Sequence, residues 1–229
     1  MASHLFIDGA STPPVSPCIR RGIACLTFIH SLIDRAYSLD RLVGAVTAEV
    51  RDLESSERMS LARDLARCCR LTGAFTLRSG QTSSVYFDKY QFEASPSILR
   101  RVVHQMVPLI AQGTEVLAGL ELGGVPIATA LSLETGISAA FVRKSAKQYG
   151  TRRLAEGAEV KGKRVCLVED VITTGGQVMI SANELRNQGA IVTSLVCVIW
   201  RAASPPSVLE IETCRALFTA AELESSVLS

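Results

Sequence analysis

The stretch "RVCLVEDVITTGGQ", Arg164 to Gln177, decides how this chain folds. Val165 to Val168 form a β-type apolar run, and Glu169 and Asp170 follow it directly. Then come Val171, Ile172, Thr173, Thr174, Gly175, Gly176 and Gln177, and from about Gly175 to Asn187 the spacing predicts a helix. A short apolar strand that turns directly into a helix is one unit of an alternating α/β chain.

The alternation continues on both sides. The pattern predicts a helix from Pro96 to about Gln112, then a strand "EVLAGLEL", a helix "VPIATALSLETG" and a strand "ISAAFVRK". A polar loop, the opening strand "RVCLVED", its helix and a strand "IVTSLVCVIWR" follow. Apolar strands of five to eight residues alternating with longer helices imply a parallel sheet covered on both faces. The chain ends on a last short strand and a helix in "VLEIETCRALFTAAELESS".

Upstream, "AFTLRSGQTSSVYFDKYQF" reads as two strands around a Ser-Gly turn. "SSERMSLARDLARCCRLTG" reads as a helix that Ser55 or Ser56 starts and Gly73 closes. Apolar residues from Thr27 to about Leu53 predict one or two further amphipathic helices, and the first 20 or so residues, rich in Ser, Pro and Gly, have the composition of an untethered arm. The expected division is an extension, 1–55, and one main domain, 56–229.

Composition excludes several classes. Of 229 residues 48% are apolar and 20% charged, the usage of a water-soluble globular protein. The net charge of +2 gives no whole-molecule argument for nucleic acid or an anionic membrane. No apolar run is long enough to span a bilayer. The seven cysteines include no C-x-x-C pair, and Cys166 and Cys197 lie within apolar runs, which fits buried thiols in a reducing cytoplasm better than disulfides or a zinc site.

In a parallel sheet, ligands bind beyond the carboxyl ends of the strands. Glu169 and Asp170 are expected to emerge there as the first groups past the buried run. Adjacent carboxylates repel each other and gain nothing from burial without partners, so they point to a ligand with hydroxyls or to a bound cation. The next turn leads into a helix whose first amides have no internal partner, which makes a positive pole. Gly175 and Gly176 let that backbone approach a bulky anion, and Thr173 and Thr174 add hydroxyl donors. Acids for sugar hydroxyls beside a cradle for phosphate describe a site for ribose 5-phosphate.

"VCLVEDVITTGGQ" resembles the phosphoribosyl-pyrophosphate signature of the type I phosphoribosyltransferases, and its Glu-Asp-Val-Ile-Thr-Thr-Gly form is most similar to the orotate phosphoribosyltransferases. "GLELGGVPIATALSLETGI" resembles the loop and helix that receive pyrophosphate, with Glu121, Leu122, Gly123 and Gly124 as the loop. "FVRKSAKQYGTRRLAEG" resembles the mobile catalytic loop, with Arg143, Lys144 and Lys147 on its basic positions. "FTLRSGQTSSVYFD" resembles the hairpin that borders orotate, with Arg78 on a basic and Tyr86 and Phe87 on aromatic positions. Arg201 falls where the family contacts the orotate carboxylate, and Thr173 on its companion.

The resemblance implies a Rossmann-like central parallel sheet flanked by helices, with a small hood. It implies catalysis through Arg143, Lys144, Lys147 and Asp170, with phosphoribosyl pyrophosphate held by residues 121–124 and 169–177. It further implies magnesium carried largely by substrate and water, with no direct protein ligand, and a cytoplasmic homodimer with shared sites. The chain departs from some members in having Gly123 and Gly124 where they carry a lysine, and Tyr149 near a position where many carry histidine. The alternatives are a transferase for a purine base, which should lack Arg201, and a non-catalytic sensor of the same sugar phosphate that binds nucleic acid through its N-terminal segment.

Overall fold

The computed structural model describes residues 47, 52–76, 80, 82–144, 154–201 and 210–227. The chain divides into two compact units, Met1–Ser55 and Ser56–Ser229. The first lies almost wholly outside the described residues, as do the arm and the helices expected before Leu53.

Helix α1 (residues 52–69) enters the second unit and runs straight into strand β1 (Arg70–Thr76). Leu61, Leu65 and Cys69 fall at spacings of four and are wholly buried, so this helix is part of the core rather than a preface to it. Arg58 extends the attachment by donating to the Leu217 carbonyl and to Glu222, while its guanidinium lies 4.3 Å from the centre of the Phe218 ring. Gly73 does not close the helix. It sits within β1, which pairs antiparallel with β2 (Thr82–Phe87) as a separate hairpin.

The segment expected to continue as strand instead forms helix α2 (Tyr90–Glu93), followed by α3 (Pro96–Met106) with Pro96 in its first turn. Helix α3 stops short of the expected Gln112 because Pro108 has no N–H to continue it, and a 3-10 turn, Val107–Leu109, takes over. Strand β3 (Val116–Leu120), α4 (Gly124–Thr135), β4 (Ser138–Val142), β5 (Ala155–Gly157), β6 (Arg164–Ile172), α5 (Gly176–Asn187), β7 (Ile191–Trp200), β8 (Thr213–Thr219) and α6 (Ala220–Ser226) complete the unit.

Six strands form the main sheet in the order β5-β4-β3-β6-β7-β8. All neighbours are parallel except β5, which pairs antiparallel with β4 at one edge. That edge strand lies where the sequence suggested only polar loop, because its three residues are too few to show a period. Side chains alternate between two cores, as a sheet covered on both faces requires. Leu117, Cys166, Val168 and Val196 pack with α1, α3 and α4, while Val116, Val165, Leu167 and Leu195 pack with Val178, Ala182 and Leu185 of α5.

Candidate active site

Strand β3 ends at Leu120, and its pairing with β6 stops at Gly119 beside Val168. Strand β6 runs on along β7 to Ile172, which pairs with Trp200. Glu169 and Asp170 are therefore not past the strand end, as the sequence suggested. They occupy its last turn of pleat, where one neighbour has already left. The gap is filled by the loop Glu121–Gly123 and the start of α4.

That loop is held close. Gly119 lies against the Gly124 carbonyl and the Ala128 side chain, so α4 packs on β3 with no room for a Cβ. A Cβ on Gly124 would collide with the Val168 carbonyl oxygen. The Glu121–Leu122 peptide is cis, and Leu122 is exposed. Glu121 accepts the Lys144 backbone N–H at 3.0 Å, and its own N–H donates to the Val142 carbonyl, so the loop is tied to the end of β4 where the basic segment begins.

Asp170 is wholly buried and its two oxygens have different partners. Oδ1 accepts the Val171 N–H at 2.5 Å, and Oδ2 meets the Lys89 ammonium at 2.5 Å. Glu93, one helical turn on from Lys89, reaches the same place. Burial and, next, the hydrogen bond and charge of Asp170 push the Glu93 carboxyl up to about 8 and the half-buried Glu169 carboxyl up to about 9. Burial also opposes the charge of Asp170, but hydrogen bonds from Glu169 and Lys89 outweigh it and hold this carboxyl below its ordinary value. Lys89 is held above its ordinary value, because its bond to Asp170 and the fields of Asp170 and Glu169 outweigh its own desolvation. The cluster thus favours the neutral forms of Glu93 and Glu169 and the charged forms of Asp170 and Lys89.

Beyond Ile172 the chain turns outward. Thr173, Thr174, Gly176 and Gln177 are exposed, while Gly175 is buried and takes the left-handed conformation, φ 76°, that starts α5. No side chain caps this helix, so its first N–H groups form a positive pole that could receive an anion, with the two threonine hydroxyls beside them. Acid cluster and anion cradle thus lie on the two sides of one short turn.

A cavity of about 460 Å³ opens elsewhere at this rim, lined by Arg70, Phe87, Ile199, Arg201 and residues of α1 and α6. It brings together two of the residues expected to meet the base, Phe87 and Arg201, whose N–H donates to the Ile172 carbonyl. Tyr86 does not line it, because neighbouring strand residues point to opposite faces; it is exposed and its ring lies 5.4 Å from that of Phe75. Thr173 does not line it either. Arg143 is half-buried and Lys144 exposed at the end of β4, whereas Arg78, Lys147 and Tyr149 lie outside the described residues.

Sequence reading missed three residues. Lys89 was hidden in a stretch read as strands and Glu93 lay just past its end, although their spacing of four and the following Ser-Pro step fit a helical turn before a new helix. Arg70 carried no motif. Among the described residues no group of three or more His, Cys, Asp or Glu side chains is arranged so that it could hold a metal ion.

Residues 90–214 match the model of the phosphoribosyl transferase domain. An orotate phosphoribosyltransferase of Nocardioides sp. is 53% identical over 170 residues, which is 73% of this chain and 94% of that protein. The orotate phosphoribosyltransferase of Methanocaldococcus jannaschii is 36% identical over 175 residues, 76% of this chain and 98% of its own. Among solved structures, Mycobacterium tuberculosis orotate phosphoribosyltransferase in complex with 5-phospho-alpha-D-ribosyl 1-diphosphate superposes with a TM-score of 0.62 at 29% identity, covering 73% of this chain and 99% of that one.

Proposed function

The chain belongs to the phosphoribosyltransferase family, among its orotate phosphoribosyltransferases, and from this we infer that it transfers the phosphoribosyl group of phosphoribosyl pyrophosphate to orotate. The products are orotidine 5-monophosphate and pyrophosphate. The single observation that carries the reading is the turn after β6, which places an uncapped helix start and two threonines beside a pair of acids.

The sugar's 5-phosphate sits on the amides of Gly175 to Gln177 with Thr173 and Thr174, and Glu169 and Asp170 face its hydroxyls. The pyrophosphate lies along Glu121 to Gly124. When the bond from the anomeric carbon to pyrophosphate breaks, the electron pair leaves with the pyrophosphate and positive charge grows on the sugar. A ring nitrogen of orotate, deprotonated, then supplies the pair for the new bond. The aid required is electrostatic and positional. Arg143, Lys144 and Lys147 neutralise the departing oxygens, and closure of their loop keeps water from the sugar cation. Arg201 pairs with the orotate carboxylate, and Phe87 borders the ring, with Arg78 and Tyr86 as the further candidates from the hairpin.

Magnesium fits this site as an ion carried by pyrophosphate oxygens and water, since it keeps several waters and needs few protein ligands. When bound it would lower the negative charge of the leaving group. The division into an extension, 1–55, and a catalytic domain, 56–229, the shared-site homodimer and a cytoplasmic location belong to the same proposal. No helix among the described residues is long and apolar enough to cross a membrane.

The test is the fall in orotate absorbance when protein, phosphoribosyl pyrophosphate and magnesium are mixed, with hypoxanthine and adenine in parallel wells followed by pyrophosphate release. Consumption of orotate alone is expected. Pyrophosphate release with a purine only would overturn the base and keep the sugar-phosphate site.

A further inference from the structure

We propose that Lys89 is a positioning residue for the phosphoribosyl site: its ammonium fixes Asp170 as an anion between β6 and the Gly123 loop. This deepens the proposed reaction and rests on it.

Space around Asp170 is tight. Asp170 is 0% exposed, while Glu169, its neighbour on the alternate face of the strand, is half-buried. The Asp170 carboxylate is enclosed by the Val171 N–H, the Lys89 ammonium and the backbone of Gly123, where even a methyl group would overlap it. It therefore sets the height of the pyrophosphate loop above the sheet.

Charge decides what keeps it there. The groups that face this cluster are Asp88, Lys89, Tyr90 and Glu93 from α2 and the segment before it, and Glu169 and Asp170 from β6. Lys89 is the cation among them. A buried carboxylate stripped of its partner is strongly disfavoured, and it either takes a proton or moves toward water. Either response would shift Gly123, and with it the loop that the pyrophosphate must meet. Glu93 is an acid and cannot supply the positive charge that Lys89 brings to this carboxylate.

Lys89 lies about a third exposed at the head of α2, so replacing it leaves no cavity and its removal tests charge rather than packing. Lys89→Met should weaken equilibrium binding of magnesium phosphoribosyl pyrophosphate about tenfold or more, the scale of one lost charge-assisted hydrogen bond. The KM for orotate should stay within about twofold, and Lys89→Arg should restore most of the affinity. A general loosening of the fold would raise both constants together and would not be rescued by arginine; that result, or wild-type affinity in the methionine variant, would overturn the proposal. If Lys89→Met does not fold, Lys89→Gln takes its place with the same two expectations. The binding readout needs no turnover. Wild-type protein that binds the sugar phosphate but leaves orotate untouched would therefore defeat the assigned reaction while the role of Lys89 is still decided.

Discussion

A Cβ placed on Gly123 would overlap Asp170 Oδ2, whereas one on Gly124 would run into the backbone oxygen of Val168. The two glycines are thus required by different neighbours. Gly123→Ala can be accommodated if the Asp170 side chain turns away, so it should cost activity more than stability. Gly124→Ala collides with the backbone of a central strand, and overpacking of that kind costs about 1–3 kcal/mol. Urea denaturation beside steady-state rates should show the larger midpoint shift for Gly124→Ala and the larger loss of kcat relative to stability for Gly123→Ala. The reverse order would mean that Asp170 does not depend on this contact.

Asp170→Asn keeps the volume of the buried group and removes its charge. Lys89, partly exposed, can then turn toward water, so the fold should survive and the melting temperature should change little. Turnover should fall by roughly a hundredfold or more, the scale seen when one preorganised charge contact is lost. Near-normal rates with orotate would remove Asp170 from the reaction and leave Glu169 as the acid that matters.

The parallel sheet and the glycine turn that starts α5 were legible in the chain because period and residue type agree there. Val165 to Val168 are too apolar to face water, and Gly175 takes a conformation that few other residues adopt. The partner of Asp170 was not legible, because an ion pair between residues 89 and 170 leaves no local period and Lys89 sits at the head of a helix of only four residues. The pairing of β6 beyond β3 was hidden for a related reason. Where a strand loses one neighbour depends on the length of a different strand, and no feature of Glu169 or Asp170 records it.

The two raised carboxyls make a pH prediction. Glu93 and Glu169 hold their protons to about 8 and about 9 in the folded protein, well above the ordinary 4.5 they regain on unfolding. Between those values the folded state binds more protons, so stability falls as pH rises. This contribution is complete below about pH 4.5 and is lost as pH climbs through about 8 to 9. Urea midpoints of the ligand-free protein should therefore decline from about pH 6 to about pH 9. Glu93→Gln, neutral at every pH, should flatten the decline and be the more stable protein at the alkaline end; parallel curves for the two would show that Glu93 ionises normally.

Lys147 and Arg201 test whether two chains share a site. The resemblance of residues 141–157 to a loop that reaches into a neighbouring subunit places Lys147 at one end of the reaction and Arg201, at the end of β7, at the other. Lys147→Ala should lower kcat far more than it raises the KM for phosphoribosyl pyrophosphate, since a cation that meets charge only as pyrophosphate departs acts on the transition state rather than on the bound substrate. Arg201→Ala should raise the KM for orotate instead. If each site takes its loop from the partner, a mixed dimer contains one site with both defects and one with neither. Unfolding and refolding an equal mixture should then restore roughly a quarter of wild-type activity, because half the dimers are mixed and each regains one of its two sites. Activity no higher than the mean of the two variants alone would show that each chain supplies its own loop.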